Sequence, residues 1–143
     1  MQGVNLTNSD LHNCHFQNVN LEYADLEHAS LASIAHLMAC QPDVSHFERI
    51  QFEHVNLQFA EIIGVDLSHA DFRHANLENA TLQEANLQFA DFEDADLTRA
   101  NLMGASLIGS NLRQAHLEHA TYDAKTQFPE NFNPDQEGML LIA

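Results

Sequence analysis

The sequence predicts an all-β solenoid, because one five-residue unit recurs along most of the chain. Each unit has a small residue, a polar residue, a large apolar residue and two free positions, as in ADFRH at residues 70–74 and ANLEN at residues 75–79. A period of five matches neither the helical repeat of 3.6 nor the strand alternation of two. We therefore expect the chain to turn every five residues, with each unit forming one side of a coil.

The large apolar position, which we call the centre of a unit, can be followed without a gap from Phe47 to Tyr122. Its sixteen residues are ten Leu, four Phe, Ile62 and Tyr122. The small position, two residues before the centre, is alanine in eleven of these units, and the position between them is mostly Asn or Asp, which favour turns. We expect the small residue and the centre to point inward, each buried centre contributing roughly 1.5–3 kcal/mol to stability.

This unit resembles the A(D/N)Lxx motif of pentapeptide repeat proteins, and the resemblance covers about residues 4–124. In that family, four pentapeptides make one turn of a right-handed quadrilateral β-helix. The resemblance therefore implies a square cross-section, a right-handed coil and about six coils. It is specific for the fold and gives little information about function.

A phase slip separates the first units from the later ones. Leu37, with Ala35 two residues before it, already follows the later phase, so the slip is predicted between Leu31 and Ala35, inside an irregular segment at residues 32–46. The earlier centres, one residue out of phase, are Leu6, Leu11, Phe16, Leu21, Leu26 and Leu31.

Pro42 falls on a centre within the irregular segment. Proline suits the inner column poorly and removes a backbone donor, so residues 38–45 are expected to be distorted or looped out. A short helix over residues 33–40, ended by Pro42, is the alternative. Because irregular segments on rigid scaffolds often carry function, Pro42 is one candidate partner-binding residue, although a tolerated insertion explains the same pattern.

The chain is predicted to be one domain, with the solenoid at residues 1–124 and a capping tail at residues 125–143. The pentapeptide rule stops after Tyr122, and the tail offers Phe128, Phe132 and the apolar end at residues 139–142 to cover the last coil. This tail resembles that of cyanobacterial pentapeptide proteins. The first coil begins without a covering segment, which predicts a homodimer formed through the N-terminal coil.

Composition argues for a cytoplasmic protein without a membrane partner. The sequence has no run of eighteen apolar residues and no basic start followed by an apolar stretch. Cys14 and Cys40 both occupy the small position, where a thiol serves as an apolar filler, so we expect free thiols.

The strong acidity excludes direct nucleic-acid binding, which needs a basic surface. There are 21 acids against five Lys and Arg, a formal net charge of −16. Up to Tyr122 the net charge is −13, which over six coils gives about one charge per 2.2 Å, against about one per 1.7 Å in duplex DNA. The charge therefore fits a DNA mimic that regulates a type II topoisomerase or another DNA-binding protein, and equally an acidic surface that keeps a rod soluble.

The densest acidic cluster surrounds Phe92 and is the predicted binding surface for a basic protein partner, an ordinary solvated face being the alternative. Its members are Asp91, Glu93, Asp94 and Asp96. A second charged row, of residues twenty apart, alternates in sign and predicts an ion ladder between coils worth a few tenths of a kcal/mol per pair. This row contains Glu53, Arg73, Glu93 and Arg113.

The ten histidines include stacked pairs such as His54 and His74, which would suit a metal- or pH-responsive binder. No three or four ligands share a fixed-spacing motif, so we predict no metal site and no cofactor. A convex rod has no enclosed pocket for catalysis. The sequence therefore predicts a non-enzymatic structural or protein–protein interaction module with a rigid acidic surface and a partner that it does not identify.

Overall fold

The coil of this protein has four sides. The structure, a computed structural model, describes residues 3–10, 24–29 and 51–143. Residues twenty apart pair in parallel, as Gln51 does with Asp71 and Asp71 with Asp91. Since twenty residues are four pentapeptides, the chain forms the expected right-handed quadrilateral β-helix. Two short strands also pair in parallel near the C-terminus, β1 (Thr121–Tyr122) and β2 (Leu140–Leu141).

We name the four sides by the centres that stack on them. Face A carries Leu6, Leu26, Leu57, Leu77, Leu97 and Leu117, and face B carries Ile62, Leu82, Leu102 and Tyr122. Face C carries Leu67, Leu87 and Leu107, and face D carries Phe52, Phe72, Phe92 and Leu112. Each coil passes from A through B and C to D.

The turns between faces follow from the chemistry of the repeat. In the unit around Phe72, the carbonyl of the centre accepts a hydrogen bond from the backbone N–H of Ala75 at 3.0 Å. His74, two residues after the centre, has φ of 58°, as in a type II turn. The Asp71 carboxylate accepts the backbone N–H of Arg73 at 3.2 Å. The Asn or Asp before the centre therefore serves as a side-chain acceptor that holds the turn.

The core is a narrow column of small residues and centres, as predicted. Ala70, Phe72 and Ala75 are buried, as are most of the equivalent residues between 51 and 120. The rings of Phe52, Phe72 and Phe92 stack along face D at 4.8 Å, with interplanar angles of 2°. This spacing is the distance between neighbouring coils, and it matches the separation of paired strands.

An insertion interrupts the repeat between the second and third coils that the structure describes. Asp25 pairs with Asn5, twenty residues earlier, but its next partner is Asn56, thirty-one residues later. The chain between them thus holds eleven residues more than a regular coil, which is two pentapeptides plus the one-residue slip. The predicted irregular segment at residues 32–46 and Pro42 lie outside the described residues.

The C-terminal tail caps the last coil, as expected. Met139 is buried, and Phe128 and Phe132 pack against the core. The Phe128 ring contacts Tyr122 edge to face at 5.4 Å and stacks on Phe132 at 5.0 Å. Over the ranges that the structure covers, no helix is long and apolar enough to cross a membrane.

Candidate interaction surface on face D

The four acids of the predicted cluster lie along one side of a single coil and at the start of the next side. Asp91, Glu93 and Asp94 belong to face D, and Asp96 begins the adjoining unit on face A. Asp94 is exposed, and the other three are half-buried. The predicted cluster is therefore one continuous acidic surface, while Pro42, the fifth candidate partner-binding residue, is outside the described ranges.

Two of these acids also hold turns. One oxygen of Asp91 accepts the backbone N–H of Glu93 at 3.1 Å and the side-chain amide of Asn111, on the next coil, at 2.8 Å. One oxygen of Asp96 accepts the backbone N–H of Thr98 at 2.9 Å. These bonds fix the carboxylates in position, and the carboxylates still present their charge at the surface.

The predicted ion ladder on face D is confirmed as two separate pairs. Arg73 contacts Glu53 at 3.4 Å, and Arg113 contacts Glu93. The hydrogen bond from Arg113 is the main cause that lowers the pKa of Glu93, so this acid is ionised at neutral pH. Arg73 has a closer partner on its own coil, Asp71, which it contacts through two hydrogen bonds at 2.8 and 2.7 Å.

An exposed aromatic side chain lies beside the acidic cluster. Phe92 is fully buried, as its centre position requires, but Phe89 at the corner between faces C and D is 54% exposed. The Phe89 ring stacks on His69 at 5.1 Å. It also covers Gly109, where a Cβ atom would lie only 2.6 Å from two ring carbons. Phe89 is thus fixed from both neighbouring coils, two residues before Asp91.

Sequence reasoning noticed the cluster but did not connect Phe89 to it. The signal was present, because Phe89 is two residues after a centre and must point outward. Gly109, twenty residues later, leaves the space into which the ring leans. An aromatic residue and a glycine at equivalent positions on neighbouring coils therefore indicate an exposed ring that lies over the glycine.

Negative charge is concentrated on face D. Of the eleven acids between residues 51 and 122, five lie on this face, and faces B and C together carry three, namely Glu61, Asp66 and Glu84. Face C instead presents apolar side chains, with Ile108 42% exposed near Phe89. The acidic surface is consequently uneven, and it borders an almost uncharged side.

Face D also brings together three possible metal ligands, which the sequence analysis did not predict. One ligand atom each from Glu53, His54 and His74 lies within 4.8 Å of the other two. The sequence analysis did pair the two histidines, which are stacked at 4.8 Å. It missed Glu53, whose contribution depends on the direction of its side chain rather than on spacing alone.

Comparison with known proteins gives the family. The model of pentapeptide repeats matches eight copies, at residues 1–32, 45–73, 60–99 and 100–121. The pentapeptide repeat protein alr5209 from Nostoc PCC 7120 is 44% identical, with a TM-score of 0.51, over 67% of this chain and 84% of its own.

HetL, a pentapeptide repeat protein from the cyanobacterium Nostoc sp. strain PCC 7120 that is involved in heterocyst differentiation regulation, is 29% identical, with a TM-score of 0.52. The match covers 90% of this chain and 50% of HetL, so the chain spans half the length of that protein. A comparison with curated proteins gives no match. On the repeats and on the likeness to alr5209, the chain belongs to the pentapeptide repeat family.

Proposed function

We propose that this chain is a non-enzymatic protein-interaction module, and that its partner binds face D through a basic surface. The observation that carries the proposal is the placement of Phe89 at one corner of face D, two residues before Asp91, with Asp94 at the other end of the same side. An exposed aromatic ring is fixed beside a group of carboxylates on a backbone that is hydrogen-bonded to both neighbouring coils.

The physical features of face D suit protein recognition. Aromatic residues are enriched in protein interfaces, and a ring that is already held in one position loses little side-chain entropy on binding. Carboxylates around it accelerate encounter with a basic surface and disfavour acidic partners. HetL is involved in a regulatory process, which supports a role in regulation through binding.

The proposal can be tested by removing charge without disturbing the turns. Asn occupies the turn position before the centre elsewhere, as at Asn76, and it tolerates the positive φ that Asp94 adopts. A variant carrying Asp91→Asn, Asp94→Asn and Asp96→Asn should therefore fold normally and lose three negative charges. Affinity capture from source-cell extract, at low and at high salt, should recover a basic protein with the wild type and not with this variant.

A second triple variant is the matched control. This control variant removes the same charge from other places on the solenoid, through Asp66→Asn, Glu84→Gln and Glu118→Gln. It should capture the partner as the wild type does. Phe89→Ala should weaken capture even at low salt, since it removes apolar contact rather than charge. Equal capture by the face D variant and the control would contradict the proposal.

A second candidate function is DNA mimicry toward a type II topoisomerase, and it is favoured by the charge density. Coils 4.8 Å apart place about one net charge per 2.2 Å along the pentapeptide units, near the value of about 1.7 Å for duplex DNA. A supercoiling assay with purified gyrase tests it. Unchanged supercoiling at micromolar protein would eliminate the mimic, and it would leave the first proposal intact.

A further inference from the structure

We propose that Glu53, His54 and His74 on face D form a binding site for a divalent transition-metal ion such as zinc. Zinc in proteins is bound by Cys, His and Asp or Glu side chains, and zinc sites that are open to solvent use three protein ligands with a water in the fourth position. These three side chains provide two nitrogens and one oxygen, with their ligand atoms within 4.8 Å of one another.

The backbone brings the two histidines together. His54 and His74 occupy the same position on consecutive coils, and both have φ of 58°. Their rings stack at 4.8 Å with an interplanar angle of 8°. One nitrogen of each ring lies within 4.8 Å of the other and of a Glu53 oxygen, and the side chains, 38% and 44% exposed, have room to adjust toward a shared ion.

Glu53 is oriented by its neighbours so that one oxygen is directed toward the histidines. Its Oε2 contacts the Arg73 guanidinium at 3.4 Å, and its Oε1 lies 3.7 Å from Nε2 of His54. Arg73 therefore acts on the far side of the carboxylate, as outer groups do when they orient metal ligands. Oε1 remains directed to the place where the ion would bind.

The local charge also favours a cation. Asp94, on the next coil, places Oδ2 3.8 Å from Nδ1 of His74. The positive charge of Arg73 is offset by its two hydrogen bonds to Asp71. Around the site, the carboxylates of Glu53, Asp71 and Asp94 thus outweigh a single guanidinium.

Calorimetric titration of the intact protein with zinc chloride tests the site. We expect one saturable equivalent of zinc per chain, and His54→Asn and His74→Asn should each lower the affinity about tenfold or more. Asn suits these positions because Asn79 has the same place in its unit with φ of 59°. Zinc should also raise the unfolding temperature of the wild type, because the ion joins two coils that separate on unfolding.

His69→Asn is the matched control. His69 is an exposed histidine at the equivalent position on face C, with φ of 62°, and it stacks on Phe89 instead of on a second ligand. This variant should bind zinc as the wild type does. A titration without a saturable event, or one that neither His54→Asn nor His74→Asn changes, would overturn the proposal.

Discussion

Replacement of Gly109 by alanine tests whether the Phe89 ring is held in place by its neighbours. Gly109 has φ of 70°, and a Cβ atom there would lie 2.6 Å from two carbons of the Phe89 ring. Gly64, with φ of 66°, has nothing within 4 Å of the same position. The two glycines therefore share the backbone conformation and differ in what the new methyl group would contact.

The difference between the two substitutions can be estimated from this geometry. A residue with a side chain costs about 1–2 kcal/mol in the left-handed region, and this cost applies to both positions. The gain from restricting the unfolded chain is also shared. Only Gly109→Ala must displace the ring and end its stacking on His69, and such stacks are worth about 0.5–1.5 kcal/mol. Gly109→Ala should therefore destabilise the protein by about that much more than Gly64→Ala.

Urea unfolding followed by circular dichroism measures this difference, provided that the slopes of the two variants agree. The same pair of substitutions in a Phe89→Ala background is the control, because the close contact with the ring at residue 109 is then absent. The free energies of unfolding should then differ by less than about 0.3–0.5 kcal/mol. Equal destabilisation in the presence of Phe89, or a difference that survives its removal, would refute the argument.

Three further predictions follow from face D and the tail. Asp71→Asn keeps the turn acceptor but removes the charge of a carboxylate that is 4% exposed and that pairs with Arg73. Solvent screens this pair because the Arg73 side chain is 40% exposed, so urea unfolding should show a loss of about 1 kcal/mol. Phe72→Ala opens a cavity in the middle of the Phe stack and should cost about 3–5 kcal/mol in the same assay. Burial acts to raise the pKa of Asp123, but its hydrogen bonds, first that from the Gly104 N–H, together outweigh burial and lower the pKa. Its stabilising contribution is therefore present above the ordinary aspartate pKa and is lost as pH falls through the lowered value. The protection factor of the Gly104 amide against hydrogen exchange should fall over that acid range, and less so in Asp123→Asn.

The sequence was sufficient to predict the parts of this fold that depend on the repeat alone. A period of five with an alanine and a large apolar residue in each unit favours a coil that turns at every unit with those two residues inside. With the four-sided coil that the family resemblance implies, Phe52, Phe72 and Phe92 are expected to stack, and they do so at the coil spacing. The ion pairs Glu53–Arg73 and Glu93–Arg113 were predictable because the resemblance to pentapeptide repeat proteins implies four units, and so twenty residues, in one coil.

Other features depend on quantities that the period does not determine. The sequence predicted a one-residue slip and an irregular segment at residues 32–46 but not the length of the interruption, which the pairing of Asp25 with Asn56 gives as eleven residues beyond one coil. The phase of the repeat changes only by the remainder after whole pentapeptides are counted. An insertion of two whole pentapeptides therefore leaves the phase unchanged. Likewise, spacing places His54 beside His74, but whether Glu53 turns toward them depends on Arg73 holding its other oxygen.

The position before each centre is Asp in some units and Asn in others. Comparing the two shows which carboxylate charges contribute to folding and which do not. Either residue accepts the backbone N–H two positions later, as Asp96 and Asn76 both do. Asp has an added structural role where an Asn on the next coil donates to it, as Asn111 does to Asp91. No such bond between coils is seen for Asp96 in the part of the chain that the structure describes. Asp96→Asn should therefore change the free energy of unfolding by less than about 0.5 kcal/mol. If it weakens partner capture without such a change, the carboxylate at residue 96 serves binding rather than folding.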